Sequence, residues 1–207
     1  MKLEGIHHVT CITGNASRNV EFYAGTLGLR LVKKTVNQDD PTVYHLFYAD
    51  ERGSAGSDIT FFEYPGAAPG RAGDGMVHRV VFRVASEAAL DFWAARVGGG
   101  KRTEGSFLFA DPEGLALELI VDSSGDEPLV ARHPRVPAEF ALRGFAGVRA
   151  YASDPEASAP FLVALGFSPG WEARGAERGG FYVYDEAPEA RGLPGGGTVH
   201  HLSLIHI

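Results

Sequence analysis

The stretch Ile6-His7-His8-Val9-Thr10-Cys11-Ile12 decides the fold, because its pattern returns later in the chain. Its β-branched and apolar residues predict a strand. A helix is predicted next, over Arg18–Leu27, with Asn15 or Ser17 as its N-cap. Two apolar strand patterns follow the helix, at Tyr44–Tyr48 and Ile59–Tyr64.

Three later copies indicate that one structural unit is repeated. They begin at Val77, Phe145 and Thr198, and helices are predicted in the second and third copies over Glu87–Val97 and Pro160–Leu165. A spacing of 14 residues links the first strand to an aromatic residue in each helix: His8 to Phe22, His78 to Phe92 and Gly147 to Phe161. We expect these aromatic side chains to pack on the sheet. The order predicts an α+β fold of tandem βαβββ modules, rather than doubly wound α/β.

The repeats also suggest the domain boundaries. We expect two modules at 1–66 and 76–122, a polar, proline-containing linker at 123–143, and a third module from 144 onward. A fourth module would begin near residue 198 and be truncated by residue 207. Residues 202–207 are similar to a translated sequencing adapter, so we predict that this tail is not native and that His206 has no function.

Composition excludes several classes of protein. The net charge is −7, and no run of Lys or Arg is long enough to follow a phosphate backbone, so we expect no nucleic-acid partner. No apolar stretch approaches the roughly 20 residues that cross a membrane, and the first residues lack the apolar core of a signal peptide. We therefore expect a cytoplasmic protein. The single cysteine, Cys11, excludes an internal disulfide and a cysteine-rich zinc site.

Five segments of the first unit, together with the repeated βαβββ order, resemble the vicinal-oxygen-chelate superfamily of glyoxalases, bleomycin-resistance proteins and extradiol dioxygenases. The match is strongest to hydroquinone-type ring-cleaving dioxygenases. It extends from residue 5 to about residue 201, with Ala55 in a place where proline is expected. The segments are Gly5–Thr10, Val20–Tyr23, Leu27–Asn37, Tyr44–Glu51 and Thr60–Phe62. The resemblance implies paired modules that form half-open mixed β-barrels around a divalent metal.

In the dioxygenases that the chain resembles, Fe(II) is held by two histidines and a glutamate. The resemblance places the histidine ligands at His8 and His201 and the glutamate beyond residue 207, with Mn(II) as the alternative metal. Such a set leaves three positions open for substrate and O₂. The resemblance gives His7 and His200 catalytic roles beside the ligands, with His200 as a proton acceptor.

A second metal set remains open. In two-module relatives such as the glyoxalases and fosfomycin enzymes, His8, His78 and Glu118 would bind Ni²⁺ or Zn²⁺, because His78 is predicted to share the register of His8. The competing interpretation is that His78 and Glu118 only support their strands. His45 is predicted to be packed or to lie behind the ligands.

Three functions follow from these alternatives. The first is Fe(II)-dependent, extradiol-type cleavage of a small aromatic diol, such as hydroquinone or catechol, by O₂. The second is a glyoxalase-like lyase or isomerase, and the third is a metal-free binding protein of the bleomycin-resistance type. A homo-oligomer remains open. Because the glutamate ligand is expected beyond residue 207, we predict weak iron retention and little turnover for this chain.

Overall fold

The computed structural model describes residues 3–168, 172–174 and 178–206. In this part of the chain, short helices connect strands that form two mixed sheets. The strands are β1 Leu3–Thr13, β2 Arg30–Val36, β3 Tyr44–Ala49, β4 Asp58–Glu63, β5 Val77–Val84, β6 Lys101–Thr103, β7 Ser106–Ala110, β8 Ala116–Val121, β9 Phe145–Ala152, β10 Glu172–Arg174, β11 Gly179–Glu186 and β12 Val199–His206. The helices are α1 Ala16–Val20, a π-helix Glu21–Thr26, α2 Glu87–Val97, a 3₁₀-helix Ala138–Phe140 and α3 Pro155–Ala164.

Each sheet joins two repeats. The first sheet has the order β12-β1-β4-β3-β2, and the second has the order β10-β11-β9-β5-β8-β7-β6. The first module therefore pairs with the start of the fourth, through antiparallel β1 and β12, and the second pairs with the third, through antiparallel β5 and β9. The predicted α+β class is confirmed. The described strands of neither sheet close into a barrel, in agreement with the predicted half-open form.

The segment at 123–143, predicted to be a linker, is packed rather than extended. Its 3₁₀-helix lies against α2, where the Phe140 carbonyl accepts a hydrogen bond of 2.7 Å from Trp93 Nε1. Val136, Ala141 and Leu142 are buried in the main core. Residues 202–206 of the predicted foreign tail continue β12, and residue 207 lies outside the described residues. None of the described helices is long and apolar enough to cross a membrane.

Local capping explains where the helices begin. The predicted helix Glu87–Val97 is confirmed, with the Ser86 side chain accepting from Ala89 N. The third helix begins at Pro155, so the prediction of a start at Pro160 is wrong. Asp154 caps this helix by accepting from Ala157 N, and the fixed φ of Pro155 suits the first helical position.

The helix face that packs on the sheet lies one residue later than predicted. Tyr23 and Trp93 are fully buried and Leu162 is 5% exposed, whereas Phe161 is 65% exposed. Phe92 is half-buried and stacks on Phe140. Of the three predicted aromatics, only Phe22 is buried, and the prediction for Phe161 is wrong.

A β-bulge interrupts the first strand of every module. In each case one residue has no partner on the neighbouring strand, which bends the strand and turns the next side chain. The bulged residues are His7, His78, Ala146 and His200, and the residues that follow them are His8, Arg79, Gly147 and His201. His78 is thus equivalent to His7, and the prediction that it shares the register of His8 is wrong by one residue.

Candidate metal centre

Two histidine pairs meet in the first sheet. Because β1 and β12 are antiparallel neighbours, Thr10 pairs with His201 and His8 pairs with Ser203. The ring centroids of His8 and His201 lie 5.6 Å apart, with the rings nearly perpendicular. The two predicted histidine ligands therefore lie on adjacent strands, although they come from the first and last modules of the described chain.

The bulges turn the first histidine of each pair toward the second. His7 Nδ1 lies 2.8 Å from His8 Nδ1, and His200 Nδ1 lies 2.9 Å from His201 Nδ1. Only one nitrogen of each neutral pair can donate the hydrogen of that bond. When His8 and His201 donate, their Nε2 lone pairs are free for a metal, and His7 and His200 fix their orientation as acceptors. Consecutive residues of a regular strand point to opposite faces, so the two histidines of a pair can touch only where a bulge interrupts the strand.

The rings of His8 and His201 lie on one face of the first sheet, and most of the side chains on that face are polar. Paired residues on neighbouring strands point to the same face of a sheet, so one face gathers contributions from β1, β3, β4 and β12. We call it the histidine face, and it consists of His8, Thr10, His45, Phe47, Asp58, Thr60, Phe62 and His201. The opposite face holds Val9, Leu46, Tyr48, Ile59 and Phe61 in the core.

His45 belongs to the histidine face. Its Nε2 lies 3.0 Å from Thr60 Oγ1, which in turn lies 2.8 Å from Thr10 Oγ1. Its ring packs against Phe47 and Phe62, at centroid distances of 4.0 and 4.3 Å. Strand alternation gives the signal for this position, because Leu46 and Tyr48 on the same strand are buried on the opposite face.

Partial desolvation lowers the pKa values of three of these imidazoles. Desolvation, and then the nearby His7 and His201, lower the pKa of His8 to about 4. Desolvation also lowers the pKa of His45 to about 4, with smaller effects from His8, His201 and Lys33. The pKa of His201 is lowered by desolvation and then by His200. Near neutral pH these rings therefore carry the lone pairs that a metal requires.

Asp58 is a residue of this face that sequence reasoning missed. It pairs with His8 across the parallel strands β1 and β4. Its Oδ1 is buried and has no hydrogen-bond partner among the described residues. Burial, and then Asp50, raise the pKa of the Asp58 carboxyl to about 7. The available signal was an acidic residue that opens a strand with a buried interior.

The histidine face fits a divalent cation in part. His8 and His201 could supply two nitrogen ligands, and Asp58 adds to the same face a buried oxygen without a hydrogen-bond partner among the described residues. In the described part of the chain, however, no group of three or more His, Cys, Asp or Glu side chains is arranged to hold a metal. A complete set of the predicted type needs a carboxylate beyond these two imidazoles.

The second sheet has an equivalent face, but it carries no histidine at the positions of His8 and His201. Arg79 and Gly147 occupy the positions equivalent to His8 and His201. Arg79 Nη1 donates a hydrogen bond of 2.9 Å to Glu118 Oε2. The ring of Phe181 lies over Gly147, where a Cβ would meet it at 2.4 Å. A guanidinium and a phenyl ring therefore fill the space that imidazoles hold in the first sheet.

His78 also has its own partners. Its Nε2 lies 2.8 Å from Asp185 Oδ2, and its ring stacks on Tyr151 at 3.8 Å. Arg149 pairs with the same carboxylate. The hydrogen bond from Arg149, and then that from His78, lower the pKa of Asp185 to about 2 against the opposing effect of burial. The structure thus brings His8 to His201, and it gives His78 and Glu118 separate contacts in the other sheet.

The lowered histidine pKa values predict a loss of stability in acid. An unfolded imidazole has a pKa near 6.5, so between this value and about 4 the unfolded chain binds more protons than the folded chain. Stability should therefore fall as the pH falls through this window. His45→Gln removes one such group, and its Tm in EDTA should fall less between pH 7 and pH 5 than that of the wild type. The raised pKa of Asp58 acts in the opposite direction in both proteins, so the comparison isolates His45. Equal decreases in Tm would contradict the assignment.

Comparisons with known proteins agree with this architecture. The family model of the Glyoxalase/Bleomycin resistance protein/Dioxygenase superfamily matches residues 5–119. A crystal structure from Bacillus subtilis subsp. subtilis str. 168, of a protein with a provisional dioxygenase name, superposes with a TM-score of 0.84 at 36% identity. That alignment covers 98% of this chain and 70% of the solved one.

Two curated relatives are named as dioxygenases. The first, "Putative ring-cleaving dioxygenase MhqO" of Bacillus subtilis (strain 168), is 38% identical over 98% of this chain and 69% of its own length. The second is the chlorohydroquinone/hydroquinone 1,2-dioxygenase of Sphingobium indicum, which is 34% identical over 70% of this chain. That alignment spans 48% of the length of the second relative.

Proposed function

The chain belongs to the Glyoxalase/Bleomycin resistance protein/Dioxygenase superfamily, and from that membership we propose that it serves Fe(II)-dependent, extradiol-type ring cleavage of a small aromatic diol by O₂. Hydroquinone and catechol-like diols are the proposed substrates. The names of the two curated relatives support the reaction class. The observation that carries the proposal is the meeting of His8 and His201 on neighbouring strands.

The two histidine pairs and the phenylalanines of the histidine face would each have a defined role. His8 and His201 would hold the metal, and His7 and His200 would fix the ligand tautomers through the Nδ1 contacts. When bound, Fe(II) supplies Lewis acidity that lowers the pKa of a substrate hydroxyl, together with open positions that align the diol and O₂. Phe62 and Phe47 offer apolar surface for a flat ring beside His45.

Proton transfer would use the imidazoles that do not bind the metal. His200 is exposed and lies next to His201, so we propose it as the proton acceptor for an incoming diol, with its Nδ1 lone pair leaving the hydrogen bond from His201 Nδ1. His45 is held by Thr60 and presents its other ring nitrogen on the same face. The buried hydroxyls of Thr10 and Thr60 fix the tilt of His45 and exchange no proton with solvent directly.

Metal analysis and oxygen uptake test the proposal. The protein is loaded anaerobically with Fe(II) and then mixed with hydroquinone or catechol in an oxygen electrode. We expect uptake that requires the diol, iron and an intact His8, at a low rate because the described residues supply only two ligands. Bound metal without oxygen uptake would favour a lyase or isomerase, and failure to bind metal would favour a binding protein.

Glu118→Gln distinguishes the two ligand sets. If His8 and His201 hold the metal, this variant should bind Fe(II) with unchanged affinity, because Glu118 lies in the second sheet and pairs with Arg79. It should instead destabilise the fold by about 1–3 kcal/mol, because it weakens the hydrogen bonding of a largely buried guanidinium. Metal titration and urea unfolding measure the two effects. A large loss of metal affinity would favour the set of His8, His78 and Glu118.

A further inference from the structure

Asp58 lies where its charge can act on the proposed metal. It is the first residue of β4 and the direct neighbour of His8 on β1, so both side chains project from the histidine face. Neighbouring strands are about 4.8 Å apart, so the backbones of Asp58 and His8 lie side by side on this face. On the other side of His8, the paired residue is Ser203, which carries no charge.

The carboxyl of Asp58 lacks the contacts of a structural aspartate. Asp50 is an example of the structural kind, since it accepts hydrogen bonds from Ser54 N, Ser54 Oγ and Arg52 N. Asp58 Oδ1 is buried without a hydrogen-bond partner, and none of the ion pairs in the described chain includes Asp58. Burying a carboxylate without compensation is unfavourable. The position therefore lacks a counter-charge.

The second sheet shows that the fold does not need this carboxyl. Ala116 occupies the equivalent place there, because it pairs with Arg79 as Asp58 pairs with His8. In that sheet the cation is part of the protein, since Arg79 is paired with Glu118. In the first sheet the neutral imidazoles of His8 and His201 take the places of Arg79 and Gly147, and a buried acid lies on the strand beside His8. The difference in charge between the two faces is what a bound cation would balance.

We propose that Asp58 is a positioning residue of the metal centre, whose carboxylate faces the ion held by His8 and His201 and increases the affinity of the site for divalent cations. The inference rests on the proposed function, because it takes these two histidines as the ligands. Asp58 supplies negative charge next to the centre without being one of the predicted ligands.

Asp58→Asn tests the inference, with Asp39→Asn as the matched control on the surface. Fe(II) is titrated anaerobically into each protein in a calorimeter, and the Tm of each metal-free protein is measured. For Asp58→Asn we expect an affinity lower by about tenfold or more, as for other residues that support metal ligands. We expect its metal-free Tm to be equal to or higher than that of the wild type, because a buried charge has been removed. Asp39→Asn should change neither quantity.

Asp58→Glu separates the effect of charge from that of shape, and it should retain more affinity than Asp58→Asn. Three results would overturn the inference: unchanged affinity in Asp58→Asn, equal losses in the Asn and Glu variants, or an Asp58→Asn protein that is less stable or unfolded without metal. In each case the proposed centre would stand if His8→Ala still abolished binding. If His8→Ala also bound Fe(II) normally, the proposed function itself would fail.

Discussion

His8→Ala and His201→Ala are each expected to lower the affinity for Fe(II) by about 100-fold or more and to abolish iron-dependent oxygen uptake. Each variant removes one of the two imidazoles that meet between β1 and β12, and a single remaining nitrogen cannot hold the ion against water. Removing a supporting histidine, as in His7→Ala or His200→Ala, should have a smaller effect, because the ligand nitrogen remains. Anaerobic titration with Fe(II) measures all four variants.

His133→Ala is the control for these histidine variants. His133 lies in the segment at 123–143, where its Nδ1 accepts from Arg135 N, and it is not part of the histidine face. It should bind Fe(II) as the wild type does. Wild-type affinity in His8→Ala or in His201→Ala would remove the basis of the dioxygenase proposal, and a loss in His133→Ala would point to a general effect on folding.

Trp93→Ala is expected to be the most destabilising of the proposed substitutions, at about 3–5 kcal/mol. Trp93 is a fully buried residue of α2, and its Nε1 donates to the Phe140 carbonyl, so the variant loses both packing and a hydrogen bond. Phe161→Ala is the matched control, because Phe161 holds the helix position that the 14-residue spacing selected. Being 65% exposed, it should cost less than about 1 kcal/mol. Urea unfolding of the two variants gives the comparison, and similar losses of stability would refute the observed helix face.

The repeat and the elements could be predicted from the sequence, whereas their exact phase could not. Apolar periodicity was sufficient to predict that β5 and α2 exist. For α2 it also gave both bounds to the residue. A bulge and a π-helix each insert one residue, and neither changes the periodicity enough to be seen. The insertion at His78 explains why Arg79, rather than His78, takes the place of His8.

Long-range pairing accounts for the part of the candidate site that the sequence did not reveal. The resemblance to ring-cleaving dioxygenases already joined His8 to His201, because both begin modules with a histidine pair. Asp58 could not be found in this way, since its importance depends on which strand lies beside β1. His45 could be placed on a strand, but its partners Thr60 and Phe62 belong to a different strand and are known only from the register.

β12 is the edge strand of its sheet among the described strands, and β1 is its sole neighbour there, whereas β1 is held on both sides. An edge strand frays more easily than a central one, so in the described part of the chain His201 would leave the site before His8. Ion release would then be governed by local opening of β12, at a lower free energy than global unfolding. A bound ion would in turn stabilise the pairing of β12 with β1, because it would link His201 to His8.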